Sequence, residues 1–409
     1  MIKVARVCLA VTVVNAAAWA QSTQSAREGE SATKDVVAHI YQAKPLPATD
    51  ANVAKLKVPD GFKVAKFAEG LKNARIVVVA KDGTVYVTRR EQADVLMLKD
   101  TDGDGKCDVQ TVVAQRPDLH GLCLSPDQSK AYFVTIRELY VCDRNSDGTF
   151  GSPKQLIKDL PDAGQHPNRT LAFGPDGMIY LSVGSTTNAA LERNPESATM
   201  LRVKPDGTER TIFARGLRNT IGFGWHPQTG KFWGLDHGID WLGDDDQPEE
   251  LNKIEQGKHY GWPISYAEAR INLQPEPPDG LTREQWKAMS THAVLTYTSH
   301  AAPMQFVFYT AGQFPAEYRN DAFATMRGSW NRLPPSGYEV VRIHFENGKP
   351  ISIDPFLTGF LIQEGDGKWA QFARPVGLAV AKDGALLMAD DQNGVIYRIS
   401  YAGTTSASR

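Results

Sequence analysis

Short runs of alternating apolar and polar residues dominate the chain beyond its first 57 residues. In 170–184 (TLAFGPDGMIYLSVG), apolar side chains recur at about every second position on both sides of a Pro-Asp-Gly turn. Successive side chains of a strand point to opposite faces, and glycine readily adopts the positive φ of a tight turn. This stretch therefore predicts a β-hairpin. Helical spacing is confined to the N-terminal leader and 282–290.

The hairpin pattern returns along the chain at intervals of about 45–60 residues. Copies occupy 76–90, 121–136, 170–184, 222–238 and 377–391, with a weaker copy at 316–332. Most are followed by a third strand, at 94–100, 138–144, 199–207, 338–348 and 394–401. Evenly repeated short strands are typical of a β-propeller, in which each repeat forms one four-stranded blade. We predict an all-β fold, a six-bladed β-propeller over 58–403, in preference to a β-sandwich or a large barrel.

The ends of the chain have a different composition. Residues 1–20 combine a basic start, a short apolar run and Ala-Trp-Ala before Gln21, which predicts an N-terminal signal peptide cleaved after Ala20. The apolar run is too short to predict a membrane span. Residues 21–57, rich in Ser, Ala, Thr and charge, predict a short flexible leader, and 404–409 a tail. We therefore expect a periplasmic or secreted protein.

Charge and cysteine content narrow the possible partners. Without Lys3 and Arg6 the 45 basic residues become 43 against 47 acidic ones, and no basic stripe is present. This composition argues against a nucleic-acid partner. Once Cys8 leaves with the signal peptide, Cys107, Cys123 and Cys142 remain. In an oxidising compartment we expect one disulfide and one free thiol, without a basis for choosing the pair.

Two acidic turns have the spacing of calcium-binding loops. Asp100, Asp102 and Asp104 alternate ahead of Gly105, as in a loop that wraps a calcium ion, but the twelfth position is Thr111 rather than glutamate. The sequence around 143–148 repeats this spacing. A polar hairpin turn accounts for the same residues. Any calcium bound there would be structural.

Candidate chemistry lies just before the predicted inner strands. His166 precedes the hairpin at 170–184, and an imidazole can accept a proton from a hydroxyl near neutral pH. Arg218 and Asn219 precede the strand that starts at Gly222. A solvated surface loop is the alternative interpretation for His166.

Further charged residues follow other strands of the repeats. Glu249 and Glu250 lie beyond an acidic run at 244–246, where carboxylates favour a hard cation, although a solvated acidic loop remains an alternative. Arg327, Arg332 and Arg374 occupy rim segments comparable to that of Arg218. Together the arginines indicate an anion in the central channel, since guanidinium groups suit carboxylates. Each one alone is compatible with a surface salt bridge.

Four sequence blocks together resemble the glucose/sorbosone dehydrogenase family, soluble propellers that use pyrroloquinoline quinone (PQQ). The blocks are GQHPNRTLAFGPDGMIYLSVGS, GLRNTIGFGWHPQTGKFWGLDHGIDWLGDDDQPEELN, YGWP and ARPVGLAVAKDGALLMADD. The likeness extends from about Val58 to Tyr401 and looks closest to the sorbosone-dehydrogenase-like branch. It implies an enzyme that oxidises an aldose or a sugar aldehyde.

The resemblance also implies roles for individual residues. His166 matches the catalytic base, and Arg218 with Asn219 matches the pair that polarises the quinone. The carboxylates of PQQ would meet Arg327 and Arg374, with Arg332 in the same rim segment as Arg327. The calcium that orients the quinone would take the backbone carbonyls of Gly238 and Ile239, with Glu249 and Glu250 as acidic support.

The match is incomplete in two places. Residues 240–246 interrupt the calcium-ligand spacing of the glucose enzymes, and His120 stands where a glutamine of those enzymes helps to place the base. In the implied reaction His166 removes a proton while hydride passes to the quinone, and a separate cytochrome c or quinone-type acceptor takes the electrons.

Two other functions fit a propeller of this kind. One is a calcium-dependent lactonase-type hydrolase, which the arginine cluster disfavours because several cations would oppose a bare metal ion. The other is a non-catalytic sugar-binding propeller.

Overall fold

The computed structural model describes residues 36–162 and 164–403. The predicted signal peptide (1–20), the first part of the leader (21–35) and the tail (404–409) lie outside the described residues. The described chain is mostly β-sheet, as the sequence predicted. Ahead of the repeats lie strand β1 (Lys44–Pro45), helix α1 (Asp50–Val53) and strand β2 (Phe62–Ala68).

Three four-stranded antiparallel sheets follow in chain order. The first contains β3 (Ala74–Val79), β4 (Val85–Arg89), β5 (Asp94–Lys99) and β6 (Val109–Gln115). The second contains β7 (Gly121–Leu124), β8 (Lys130–Val134), β9 (Leu139–Asp143) and β10 (Lys154–Ile157). The third contains β11 (Thr170–Phe173), β12 (Ile179–Val183), β13 (Thr199–Val203) and β14 (Thr211–Arg215).

The fourth sheet carries an insertion before its last strand. It contains β15 (Gly222–Trp225), β16 (Phe232–Asp236), β17 (Glu249–Lys253) and β20 (Leu295–Tyr297). The insertion holds the β18 (Ser265–Tyr266) and β19 (Arg270–Ile271) pair and helix α2 (Arg283–Met289). Helix α2 confirms the helical pattern at 282–290, and Thr282 caps it by accepting a hydrogen bond from the Gln285 amide.

The remaining strands complete the described fold. The fifth sheet contains β21 (Pro303–Phe308), β22 (Ala322–Met326), β23 (Glu339–Glu346) and β24 (Lys349–Leu357). A small sheet joins β25 (Leu361–Gly365) and β26 (Lys368–Gln371) to β1. The last four-stranded sheet contains β27 (Pro375–Val380), β28 (Leu386–Asp390), β29 (Val395–Tyr401) and β2.

One edge strand of each four-stranded sheet, its inner strand, faces a central cavity of about 270 Å³. The inner strands that line this cavity are β3, β7, β11, β15, β21 and β27. Buried apolar clusters fill the space between successive sheets, and one of them joins β27–β29 to β3–β5. Strand β2 pairs with β29, so a segment from before the first repeat completes the last sheet. The fold is a β-propeller, as the repeat predicted.

The weak copy of the hairpin pattern at 316–332 does not contain the inner strand of its sheet. The inner strand of the fifth sheet is β21, and 316–332 contains its second strand, β22. Strand β21 lacks the Asp-Gly turn that marks other repeats, because a longer connection with a 3₁₀ turn at Ala316–Tyr318 follows it. Arg327 therefore follows a second strand rather than an inner one.

The described part of the predicted leader, 36–57, makes contacts with the rest of the fold. Strand β1 pairs in parallel with β26, and the carbonyl of Val37 accepts a hydrogen bond of 2.8 Å from the Asp244 amide. Tyr41 donates its backbone N–H to the Trp330 carbonyl at 2.9 Å. Backbone hydrogen bonds thus join this polar segment to distant loops, and its flexibility stays a prediction.

The expected disulfide is absent from the described residues. Cys107, Cys123 and Cys142 are all free thiols. Cys123 packs between the second and third sheets, whereas Cys142 packs between the first and second. Cys107 lies against the cluster between the last sheet and the first. The three thiols therefore point into different interfaces.

The helices of the described ranges are all too short or too polar to span a membrane.

Candidate active site

Loops at one rim of the propeller enclose a second cavity, of about 630 Å³. Five residues predicted from the sequence line it together: His166, Arg218, Asn219, Arg327 and Arg374. They come from four different sheets and from segments either before an inner strand or after a second strand. The propeller brings these segments together because both kinds of connection lie on the same rim.

His166 has one ring nitrogen engaged and the other available. Its Nδ1 lies 2.9 Å from the Ser185 carbonyl oxygen and 2.8 Å from the Ser185 hydroxyl. A carbonyl can only accept, and the Ser185 hydroxyl already donates to the Thr187 carbonyl at 2.7 Å, so Nδ1 carries the proton. Nε2 is therefore the ring atom that can accept a proton from a ligand.

The environment of His166 keeps its ring neutral. Burial lowers the pKa of this imidazole well below 6.5, and the neighbouring Arg218 cation lowers it further. A neutral imidazole with a free Nε2 is the form that a general base requires.

Arg218 and Asn219 are held by a buried carboxylate from beneath. Asp236, at the end of β16, accepts the Arg218 backbone N–H at 2.7 Å and the Asn219 backbone N–H at 2.8 Å. Burial raises the pKa of Asp236 to about 6, although these hydrogen bonds oppose the shift. The side-chain amide of Asn219 has no hydrogen-bond partner among the described residues, so it is available to a ligand in the cavity.

Arginines of the last two sheets form the opposite wall of the cavity. Arg327 donates from Nε to Asp391 at 2.9 Å, and Arg75, buried at the start of β3, binds the same carboxylate oxygen. Burial opposes the charge on Asp391, but Arg327 and Arg75 outweigh it and hold the pKa of Asp391 below its usual value. This carboxylate therefore serves two guanidinium groups.

Arg374 is the cation that lacks a carboxylate. Its Nη2 donates to the Gly328 carbonyl at 2.9 Å, and no acidic group of the described chain lies within salt-bridge distance. Burial lowers the pKa of Arg374 to about 10, with Arg327 adding to the shift, so the side chain is still charged at neutral pH. A half-buried guanidinium that makes no direct ion pair is available to an anionic ligand.

Arg332 was predicted in the cofactor site, and the structure places it elsewhere. Its Nη1 donates to the Asp244 carbonyl at 3.0 Å, and its Nη2 pairs with the Asp245 carboxylate at 2.9 Å. It does not line the cavity. The chain turns between Arg327 and Arg332, so two arginines of one short segment face different surroundings.

The predicted calcium ligands surround the turn after β16. The carboxylate of Glu249 accepts the Gly238 N–H at 2.9 Å and the Ala302 N–H at 2.8 Å, and the Gln247 side chain accepts the Ile239 N–H at 3.0 Å. Burial raises the pKa of Glu249 to about 8. These contacts fix the turn through its N–H groups.

The carbonyls of this turn remain available. Neither the Gly238 nor the Ile239 oxygen accepts a hydrogen bond from the described residues, and backbone oxygens are ligands that calcium prefers. Glu250 does not contact the turn itself: it accepts from the Ala267 amide at 2.6 Å, and it supports the turn indirectly by accepting from the Gln247 side chain at 3.4 Å. Burial raises the pKa of Glu250 to about 7. Only the Glu249 carboxylate holds the turn directly.

The donor set fits an acidic quinone and a calcium ion. Arg374 makes no direct ion pair and the side-chain amide of Asn219 has no partner among the described residues. The Oδ1 atom of Asn168 is buried without a hydrogen bond. Trp330 also lines the cavity, and its indole meets that of Trp241 edge to face, with the ring centroids 5.4 Å apart. A flat anionic ligand would satisfy these groups.

The acidic turn at 100–108 lies outside this cavity. Asp100, Asp102 and Asp108 bring their carboxylates within 4.8 Å of one another, whereas the predicted Asp104 is not in this group. Asp100 instead accepts the Gly103 and Gly105 amides at 2.7 and 2.9 Å, the geometry of a polar turn. Asp108 replaces Asp104 because the turn folds the chain back on itself.

The cavity residues that were not predicted as site residues include Arg75, His237, Asp240 and Asp391. Arg75 stands at the start of an inner strand, where Arg169 also stands in the third repeat, so the repeat register could have indicated it. Burial lowers the pKa of His237 to about 3, and its Nε2 binds the Pro303 carbonyl. Nothing in the local sequence distinguishes Asp391 from other turn aspartates.

Known proteins resemble the chain over most of its length. It is 25% identical to a pyrroloquinoline quinone-dependent sugar dehydrogenase of Hypocrea jecorina (strain QM6a), covering 83% of this chain and 87% of that protein. It superposes with a TM-score of 0.73 on the calcium structure of a Trichoderma reesei carbohydrate-active enzyme of family AA12. The two are 21% identical, and the match covers 85% of this chain and 97% of that chain. The holo form of the pyranose dehydrogenase PQQ domain from Coprinopsis cinerea superposes with a TM-score of 0.71 at 20% identity. That match covers 88% of this chain and 99% of that chain.

The family profile described as TrAA12-like matches residues 56–402. This range contains all six four-stranded sheets and every residue of the rim cavity. The resemblance to PQQ-dependent sugar dehydrogenases is thereby confirmed, while its sorbosone-like branch stays a prediction. The chain belongs to the TrAA12-like family.

Proposed function

We propose that this protein is a PQQ- and calcium-dependent dehydrogenase that oxidises an aldose or a sorbosone-like sugar aldehyde, with His166 as its general base. The proposal includes a six-bladed propeller, with the six four-stranded sheets as its blades, and a periplasmic or secreted location. The observation that carries it is one cavity that joins a neutral imidazole, whose Nε2 has no partner among the described residues, to Arg374, a half-buried arginine that makes no direct ion pair. The family match supports the same reaction class.

Each residue has a defined task in this proposal. Arg327 and Arg374 bind carboxylates of the cofactor, and Arg218 with Asn219 donates hydrogen bonds to its quinone oxygens. The carbonyls of Gly238 and Ile239 hold calcium, and Glu249 keeps their turn in place from behind. When bound, PQQ supplies the hydride acceptor and calcium polarises it, which is the redox chemistry that the protein itself lacks.

His166 moves the proton in this reaction. Its Nε2 accepts the proton of a sugar hydroxyl, or of a hydroxyl of the aldehyde hydrate, while Nδ1 stays hydrogen-bonded to Ser185 and fixes the ring plane. The resulting imidazolium lies beside Arg218, which favours rapid loss of that proton to solvent. Electrons leave afterwards to a separate acceptor, a cytochrome c or a quinone-type molecule.

Reconstitution tests the proposal. The purified protein is incubated with PQQ and CaCl₂, and reduction of a redox dye is followed with aldoses, sugar aldehydes and lactones. Dye reduction that requires PQQ, calcium and a sugar supports the proposal. Lactone opening without PQQ would instead identify a lactonase-type hydrolase, and sugar binding without turnover would identify a binding propeller.

A further inference from the structure

The connection between β12 and β13 contacts both proposed catalytic side chains. The Ser185 amide donates to the Arg218 carbonyl at 2.7 Å, and the Ser185 oxygens accept the Nδ1–H of His166. The Thr186 carbonyl accepts the Gln165 amide at 2.9 Å. This segment, 184–188, therefore runs between the loop that carries the base and the loop that carries the guanidinium.

Asn188 ends the segment and accepts four hydrogen bonds. Its side-chain Oδ1 accepts from Arg218 Nη2 at 2.6 Å and from the Asp240 amide at 3.0 Å. Its carbonyl accepts from Arg218 Nε at 3.0 Å and from Trp262 Nε1 at 3.1 Å. One residue thus receives two of the three guanidinium nitrogens of Arg218.

These contacts determine which edge of Arg218 faces the cavity. Asp240 accepts a further hydrogen bond from Nη2 at 3.0 Å, so Nε and Nη2 are both occupied. Nη1 has no partner among the described residues, although Arg218 itself is buried and lines the cavity. A planar guanidinium held along one edge can present only the opposite edge.

The loop does not need the Asn188 side chain in order to fold. The Glu192 carboxylate closes it by accepting the amide and the hydroxyl of Thr186, both at 2.6 Å. Farther along, Asn194 Oδ1 accepts the Glu196 amide at 2.9 Å. The Oδ1 atom of Asn188 makes no contact within its own loop, because both of its donors belong to the rim segment after β14 or to the turn after β16.

We propose that Asn188 is a positioning residue that aims the Nη1 edge of Arg218 at the quinone oxygens. The inference rests on the proposed function and extends it to a residue that touches neither sugar nor cofactor. Removing Oδ1 leaves Nη2 with the Asp240 carboxylate alone and takes the acceptor from the Asp240 amide, so the guanidinium is held less firmly and can shift away from the redox group. Asn188→Asp retains an acceptor oxygen at the same place, whereas Asn188→Ala does not.

The experiment compares Asn188→Ala, Asn188→Asp and Asn194→Ala, the last as a matched control in the same loop. Each variant is titrated with PQQ in the presence of CaCl₂, followed by absorption, and assayed for sugar-dependent dye reduction. We expect Asn188→Ala to weaken PQQ binding by roughly 10-fold and to lower kcat by roughly 10–100-fold, with KM for sugar changed by less than about 3-fold. Asn188→Asp should recover most of both losses, and all three thermal midpoints should agree.

The opposite outcomes are equally distinct. Unchanged PQQ affinity and kcat in Asn188→Ala would overturn the positioning role. So would losses in Asn188→Asp and Asn194→Ala that are as large as those in Asn188→Ala. If the unsubstituted protein binds PQQ but oxidises no sugar, the proposed function fails. The PQQ titrations still decide the role of Asn188 in that case, since they need no turnover.

Discussion

The guanidinium of Arg218 lies close enough to His166 to lower the pKa of that imidazole, in addition to the larger effect of burial. Arg218 thus has two effects in the cavity. It offers donors to a ligand, and it keeps the neighbouring base unprotonated at neutral pH. Since a base must be neutral before it accepts a proton, the two effects support the same reaction.

The pH dependence of activity follows from this pair. Because the pKa of His166 is below the ordinary 6.5, kcat/KM should remain on its plateau as the pH falls through 6.5 and should decline only at lower pH. Arg218→Gln removes the cation and should move the acidic limb to higher pH. Stopped assays between pH 4 and 8 measure both profiles, and an acidic limb centred at or above 6.5 in the unsubstituted protein would contradict the assignment.

The same shift affects stability. The folded state keeps His166 neutral, so below about pH 6.5 the unfolded chain binds more protons at this position. His166 therefore reduces the free energy of unfolding as the pH falls from about 6.5 toward its lowered pKa. His166→Gln should weaken the loss of stability over that range, which denaturant unfolding at several pH values can measure.

His166→Ala tests the base directly. We expect kcat to fall by on the order of 10²–10⁴ while PQQ remains bound, because a general base contributes about that much to a rate. Absorption of the bound quinone checks the second part. Near-normal turnover in this variant would remove His166 from the mechanism.

Two arginines of the rim provide a matched comparison. Arg374→Gln should weaken PQQ binding by roughly 10–100-fold, since a charge-assisted hydrogen bond contributes about 1.5–3 kcal/mol. Arg332→Gln should leave the affinity near its original value, because Arg332 pairs with Asp245 outside the cavity. Titration with PQQ distinguishes them, and equal losses would mean that Arg332 reaches the ligand after all.

Gly184 is required by close packing around the base. A methyl group at 184 would lie 2.6 Å from the Cβ atom of His166 and 2.9 Å from Oδ1 of Asn219. Gly184→Ala should therefore displace both side chains and lower kcat by roughly 10–100-fold. Gly312→Ala is the control, because its nearest neighbour would be 3.7 Å away. Equal kcat values in the two variants would show that this packing is unimportant.

The N-terminal segment 36–47 should contribute to stability. A chain that begins at residue 48 loses the pairing of β1 with β26, the hydrogen bond that Val37 accepts from Asp244 and the one that Tyr41 donates to Trp330. Compared with a chain that begins at residue 36, we expect its thermal midpoint to fall by at least about 3 °C. Calorimetry measures the difference. Identical midpoints would restore the view of this segment as a free leader.

The local sequence contains enough information for the propeller and for part of the site. Alternating apolar residues and Asp-Gly turns mark most hairpins, because both features depend on residues a few positions apart. His166, Arg218 and Arg374 were found in the same way, since each lies at a fixed place relative to a recognisable strand. The inner strand β21 was missed because no such turn follows it.

What remained depended on contacts between residues far apart in the chain. Asp391 binds both Arg75, which is 316 positions away from it in the chain, and Arg327, which is 64 positions away. Asn188 binds Arg218, which is 30 positions away. The sequence by itself determined the repeat, the propeller and the types of side chain near the rim. Only the tertiary structure decided that Arg332 turns outward, that Cys123 and Cys142 lie in different interfaces, and that 36–47 pairs with distant segments. Such choices depend on which distant groups satisfy each buried charge and backbone hydrogen bond, and no local pattern records them.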